Sequence, residues 1–226
     1  PLLPPRRDLT LEPLVEVLMG KRLILVHAYG ADEMLLMMHM AEEFGFRIGR
    51  FEHGAEGYKI ATEIARHGAG VAGFDLMGTK VESWDAMPQG IPILVKHGVS
   101  VSIGTDGDGF THMAHEAARF LDQGLTEDEA LALITINGAR QSGVDKFAGS
   151  IDEGKDADLV IFDKYPLSVY ATPAQVIIDG QLYFRRERDR ERPKAIDAAK
   201  TRLSDHAATT QHPKETRRPT RPPPPK

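Results

Sequence analysis

The sequence predicts an α/β protein with a parallel sheet, followed by a short β region and a charged tail. Three observations carry this. Short apolar, β-branched runs alternate with helix-length amphipathic segments as far as Gly149, the pattern of successive βα units. After Gly149 the rhythm changes to "DADLVIFD" and "AQVIIDGQLYF", where Asp179-Gly180 sits between apolar runs as a two-residue hairpin turn. From Arg185 onward charge is dense, and the chain finishes as "KETRRPTRPPPPK", which cannot build a core and reads as disordered.

The elements follow in order. "TLEPLVEVLM" predicts a helix over Thr10 to Met19 with Thr10 as N-cap. Leu23 to Val26 is a buried strand, Asp32 to Phe44 a helix stopped by Gly45, and Arg47 to Glu52 a short strand. A helix over Glu56 to His67, a short strand over Gly70 to Phe74, a loop through Trp84 and a helix over Ile91 to His97 come next. "GVSVSIGTD" is a β-branched strand, and Thr111 to Leu121 is helical. "TEDEALALITINGAR" is a further helix, opened by the Thr126/Glu129 capping box. The Met-rich "MLLMMHM" is a helix face packed on the sheet.

Composition narrows the chemistry. The net charge of −5 argues against a nucleic-acid partner. No apolar run approaches the roughly 20 residues of a membrane span. With no cysteine, thiolate metal sites and disulfides are excluded, so a metal would need His, Asp, Glu or a modified Lys. No signal peptide is visible in a chain that opens on Pro1, and a cytoplasmic location is the expectation.

Three strands end in metal-competent residues: His27 in "LILVHAYG", His53 in "RFEHG" and Asp106 in "VSIGTDGDG". Alone, a histidine is more often structural, and an Asp after a strand is usually a helix N-cap. All three occupy the same structural position, and in a parallel βα array the C-terminal strand ends gather on one face. Neutral imidazoles with a carboxylate suit zinc or a related divalent ion. Rival signals are weaker. "GAGVAG" fits a dinucleotide fingerprint, but a helix precedes it and a strand follows, the reverse of what that motif needs; Gly68 reads as a helix C-cap. "DGDGFT" fails as a calcium loop, because Thr111 and Ala117 stand where Gly and Glu are required. His112 and His115 are one helical turn apart, with substrate contact or surface placement as readings; His39, His67 and His97 read as structural.

"VHAYGADEM", "EHGAEGYKIATEIARHG", "GVSVSIGTDGDG", "LTEDEALALITINGAR" and "GSIDEGKDADLVIFDKYPLSVYATPAQVIIDGQLYF" together resemble the amidohydrolase superfamily, closest to its imidazolonepropionase-like branch. The resemblance runs from about Leu9 to Phe184 in the right order. It implies a partial (β/α)8 TIM-type barrel, about strands five to eight, with part of a small β-sandwich. Residues 1–148 would be the C-terminal half of the barrel, 149–186 sandwich strands, and 187–226 the disordered tail. His27, His53 and Asp106 would be metal ligands at the ends of strands five, six and eight, with Asp106 and His53 also catalytic. The family's His-x-His pair does not occur in this sequence, so the resemblance covers the C-terminal part of such an enzyme.

The implied chemistry is hydrolysis of a carbon–nitrogen bond in a small molecule, an amide, cyclic amide or peptide-like substrate, by water activated on one or two divalent ions, zinc foremost. Tyr58 and Lys59, after the sixth-strand motif, and His112 are the candidates for substrate contact. A homo-oligomer or a complementary N-terminal polypeptide is the expected protein partner. The competing class is non-catalytic: an inactive fragment, or a binding or assembly module.

Overall fold

The computed structural model describes residues 6–73, 80–105, 112–189 and 192–209. Four parallel strands form one sheet in the order β1 (Ile24–Ala28), β2 (Ile48–His53), β3 (Gly70–Gly73) and β4 (Val101–Ile103). The connections carry α2 (Ala31–Phe44), α3 (Ala61–His67) and α4 (Gly90–Lys96), as parallel pairing requires. Preceding the sheet is α1 (Glu12–Leu18), and following it are α5 (Met113–Arg119), α6 (Glu127–Leu133) and α7 (Ile136–Gln141).

Register sorts the side chains into two faces. Val26, Phe51, Val71 and Val101 form one continuous row across the four strands. With Met34 and Met38 of α2, Ile64 of α3 and Leu94 of α4 they build the core. Phe51 is fully buried, which contributes about 1.5–3 kcal/mol. The alternate row runs Leu25 opposite Arg50, then His27, Glu52, Ala72 and Ser102. This second face is more open: Leu25 remains 48% exposed, and Arg50 and Glu52 satisfy one another as an ion pair at 2.7 Å.

The expected single helix over "TEDEALALITINGAR" is two helices, α6 and α7. Thr126 and Glu129 form the predicted capping box at the start of α6. The break comes where Thr135 Oγ1 donates to Leu131 O, a local bond that competes with helix continuation. Beyond it α7 turns onto the starts of β3 and β4. Asn137 donates to Val101 O, and Gln141 donates to Ser100 O and accepts from Ser102 Oγ. A Cβ at Gly70 would meet Gln141 Cγ at 2.7 Å, so glycine is what admits this approach.

α1 begins at Glu12 rather than at Thr10, with no side-chain cap. Thr10 Oγ1 donates instead to Asp8, and Pro13 sits in the first turn, where its missing N–H costs nothing. Gly45 and Gly68 are left-handed C-caps, as read from the sequence. A second sheet of β5 (Leu159–Phe162), β6 (Pro173–Ile178) and β7 (Gln181–Arg185) is antiparallel in that order. Asp179 and Gly180 both have positive φ, 50° and 73°, the signature of the hairpin turn their sequence predicts. Leu167, between β5 and β6, is buried in the main core.

The described part of the tail, as far as residue 209, holds two further helices. Arg186–Asp189 (α8) and Arg192–Thr209 (α9) are helical. Ala, Lys and Arg recur along α9 and favour helix, and Pro193 falls in its first turn, where it is tolerated. Among the described residues no helix is long and apolar enough to cross a membrane.

Candidate functional site

β1 and β2 are parallel neighbours, so their C-terminal tips lie side by side: His27 pairs in register with Glu52, and Ala28 with His53. Strict alternation would give His53 the same face as Phe51. Its backbone departs from alternation with φ 69°, a left-handed conformation that costs a non-glycine residue about 1–3 kcal/mol and concentrates at functional sites. Gly54 continues the turn at φ 52° and donates to Ala28 O at 2.9 Å. A Cβ at Gly54 would stand 2.7 Å from Val71 Cγ1. The result is a buried His53, 4% exposed, whose ring centroid is 4.4 Å from that of His27 at an interplanar angle of 82°.

Tyr29 joins them. Its ring stacks on His53 at 4.5 Å and 9°, and meets the His27 ring edge-on at 5.2 Å. Lys80, just after the undescribed part of the β3–α4 connection, donates to the Tyr29 hydroxyl at 3.1 Å. Tyr29 lies two positions after His27 in the chain, whereas Lys80 is brought in only by tertiary folding.

A second set of contacts braces the same end of the sheet. Glu33 accepts from the backbone N–H groups of Tyr29 and Gly30, and Glu56 accepts from Ala31 N. These carboxylates satisfy donors at the α2 N-terminus, where negative charge is favoured. Lys59 bridges Glu56 at 3.1 Å and Asp85 at 2.6 Å, and Tyr58 donates to Asp85 O. The Asp85 carboxylate holds the Lys59 ammonium above its ordinary pKa, and Lys59 holds Asp85 below its own. Both polar ends proposed for substrate contact, Tyr58 and Lys59, are thus engaged with the chain itself. His112 precedes α5, its ring parallel to that of His115 at 5.8 Å.

The structure therefore brings together two of the three expected ligands, His27 and His53. Asp106 lies outside the described residues, and among the described residues no group of three or more His, Asp or Glu side chains is placed to hold a metal ion. Imidazoles in a chain without thiolates are a donor type that divalent ions of the zinc class take. Glu52, opposite His27 in register, is committed to Arg50.

Comparison with known proteins gives a consistent likeness. The pattern of the amidohydrolase family matches residues 21–183. The chain is 32% identical over 184 residues to the amidohydrolase tasK of Hapsidospora irregularis, covering 78% of this chain and 19% of that protein. It is 35% identical over 107 residues to an imidazolonepropionase of Clostridium tetani, covering 42% of this chain and 25% of the enzyme. A solved amidohydrolase from Thermotoga maritima superposes with a TM-score of 0.75 at 34% identity, over 80% of this chain and 48% of that one. The chain thus spans about half the length of that solved structure and a quarter or less of the two curated relatives.

Proposed function

Because this chain belongs to the amidohydrolase family, we propose that it carries part of the active site of a metal-dependent hydrolase of carbon–nitrogen bonds. The observation that supports this most is the convergence of His27 and His53, rings 4.4 Å apart, at the C-terminal tips of adjacent parallel strands. β1 to β4 are read as strands five to eight of a (β/α)8 barrel, and β5 to β7 as strands of the accompanying small sandwich.

In this reading His27 and His53 offer neutral imidazole nitrogens to one or two divalent ions, zinc by preference. Such an ion, when bound, supplies acidification of a water molecule and polarisation of the substrate carbonyl. Asp106, next along from β4, completes the ligands, takes a proton from the attacking water and returns it to the leaving nitrogen. The substrate is a small molecule with an amide, cyclic amide or peptide-like bond; the likeness to an imidazolonepropionase favours a cyclic amide. His112 is retained as a substrate contact. Tyr58 and Lys59 act through the brace they form with Glu56 and Asp85, shaping the substrate-facing loops. The remaining barrel strands come from a complementary N-terminal stretch of polypeptide, with a homo-oligomer as the other arrangement. A second reading, a non-catalytic assembly module, rests on the exposed apolar residues Leu23 and Leu25 at the β1 edge.

A zinc titration of chelator-stripped chain by calorimetry tests the proposal. One or two ions per chain, bound more weakly when His27 is replaced by alanine, is the expected result; a chain that takes up no zinc rejects it.

A further inference from the structure

We propose that Tyr29 is a positioning residue for His53, and that Lys80 fixes Tyr29 in that role. The inference rests on the reading of His53 as a metal ligand. It adds a pair of residues from two separate loops that set the direction of its imidazole.

A ligand ring works only if its nitrogen is aimed within about 0.5 Å and 10–20° of the productive geometry. His53 sits on a left-handed backbone at the end of β2, outside the regular alternation that would otherwise orient it. The Tyr29 ring supplies a wall, stacked nearly parallel to the imidazole at 9° and 4.5 Å. Tilting the imidazole out of its plane would break this stack, and the edge-on His27 ring 4.4 Å away packs on it as well.

Tyr29 is well placed to be such a wall because it is itself held at three points. Its N–H donates to Glu33 Oε2 at 3.1 Å, and its carbonyl accepts from Glu56 N at 3.0 Å. Its hydroxyl accepts from Lys80 Nζ at 3.1 Å, with the ammonium 5.6 Å from the ring centroid. Only 8% of the residue is exposed. One ring therefore connects the loops after β1, β2 and β3. A packing residue would need only the ring; the Lys80 contact fixes the ring's angle, which is what a stacked ligand requires.

The test uses proton NMR of the metal-free chain, with the His53 ring protons assigned by their loss in His53→Asn. The stacked Tyr29 ring shields them. Tyr29→Leu is expected to move them downfield, towards the position of an unstacked histidine. Tyr29→Phe and Lys80→Met should each give a smaller displacement in the same direction, the larger in Lys80→Met, which loses the ammonium over the ring as well as its bond to the hydroxyl. A folded Tyr29→Leu chain with unmoved His53 resonances overturns the proposal. Should Tyr29→Leu fail to fold, Lys80→Met decides: a downfield displacement in the same direction as that of Tyr29→Phe supports it, and resonances unmoved in both overturn it. A zinc titration of the same variants gives the second readout. Tyr29→Leu is expected to bind about 10- to 100-fold more weakly, the usual cost of losing a residue that orients a ligand, measured well below its thermal midpoint. If the resonances shift as expected but the parent chain binds no zinc, the metal reading falls and the positioning of His53 stands.

Discussion

Adding a polypeptide that supplies the other half of the barrel is expected to raise carbon–nitrogen bond hydrolysis at least about 100-fold over this chain alone. The reasoning joins chemistry to mechanics. The sequence offers two imidazoles at adjacent strand tips and Asp106 near a third, but no His-x-His pair. The sheet of four strands leaves β1 and β4 each hydrogen-bonded to a single neighbour within it, so their outer edges need a partner. The face carrying His27 is open, with Leu25 48% exposed beside it. Ligands on unsupported strand ends wander, and a displacement of about 1 Å at the reacting centre can cost a hundredfold in rate. A hydrolysis screen over amides, cyclic amides and dipeptides, on zinc-loaded chain with and without the complementary half, makes the comparison. Robust turnover by the chain alone, abolished by both His27→Ala and Asp106→Ala, would contradict the expectation.

Replacing His53 is expected to have the largest effect on metal affinity of any single substitution among the described residues. The informative variant is His53→Asn. Asparagine tolerates the left-handed backbone at φ 69°, whereas alanine there would add backbone strain to the loss of the imidazole. With the fold preserved, affinity for zinc should fall by more than about 100-fold, beyond the range for residues that merely orient a ligand. His115→Ala is the control. Its ring stacks with His112, away from the His27–His53–Tyr29 cluster, and affinity should stay unchanged. Equal losses in the two variants, measured by calorimetry at matched thermal midpoints, would remove His53 from the site.

Much of this architecture is legible in the sequence because it follows from local periodicity. The β-branched runs and intervening amphipathic segments are the four strands and their helices. Asp179-Gly180 is a turn with both φ angles positive, and Thr126 with Glu129 is a formed capping box. The position of His27 and His53 at strand ends was readable for the same reason. Other features depend on tertiary contacts. Beyond the break at Thr135, Asn137 and Gln141 are drawn onto Val101 O and Ser100 O at the start of β4, and helix propensity alone does not register that pull. The left-handed turn at His53 reflects the fit of Gly54 against Val71. Tyr29 owes its place to Lys80, far along the chain, which reaches its hydroxyl. Tyr58 and Lys59 were chosen from their place in a loop, which does not reveal that Asp85 and Glu56 are the groups they meet. The α9 helix was hidden by the charge density of its surroundings.

The most direct test of the central claim, that His27, His53 and Asp106 share one metal centre, is X-ray absorption at the zinc edge of the metal-loaded chain. The expected spectrum has only nitrogen and oxygen neighbours at about 2.0–2.2 Å with the outer scattering of two imidazoles. One imidazole should be lost in His27→Ala and one in His53→Asn, and an oxygen in Asp106→Ala. A spectrum identical in the parent chain and all three variants would contradict the claim.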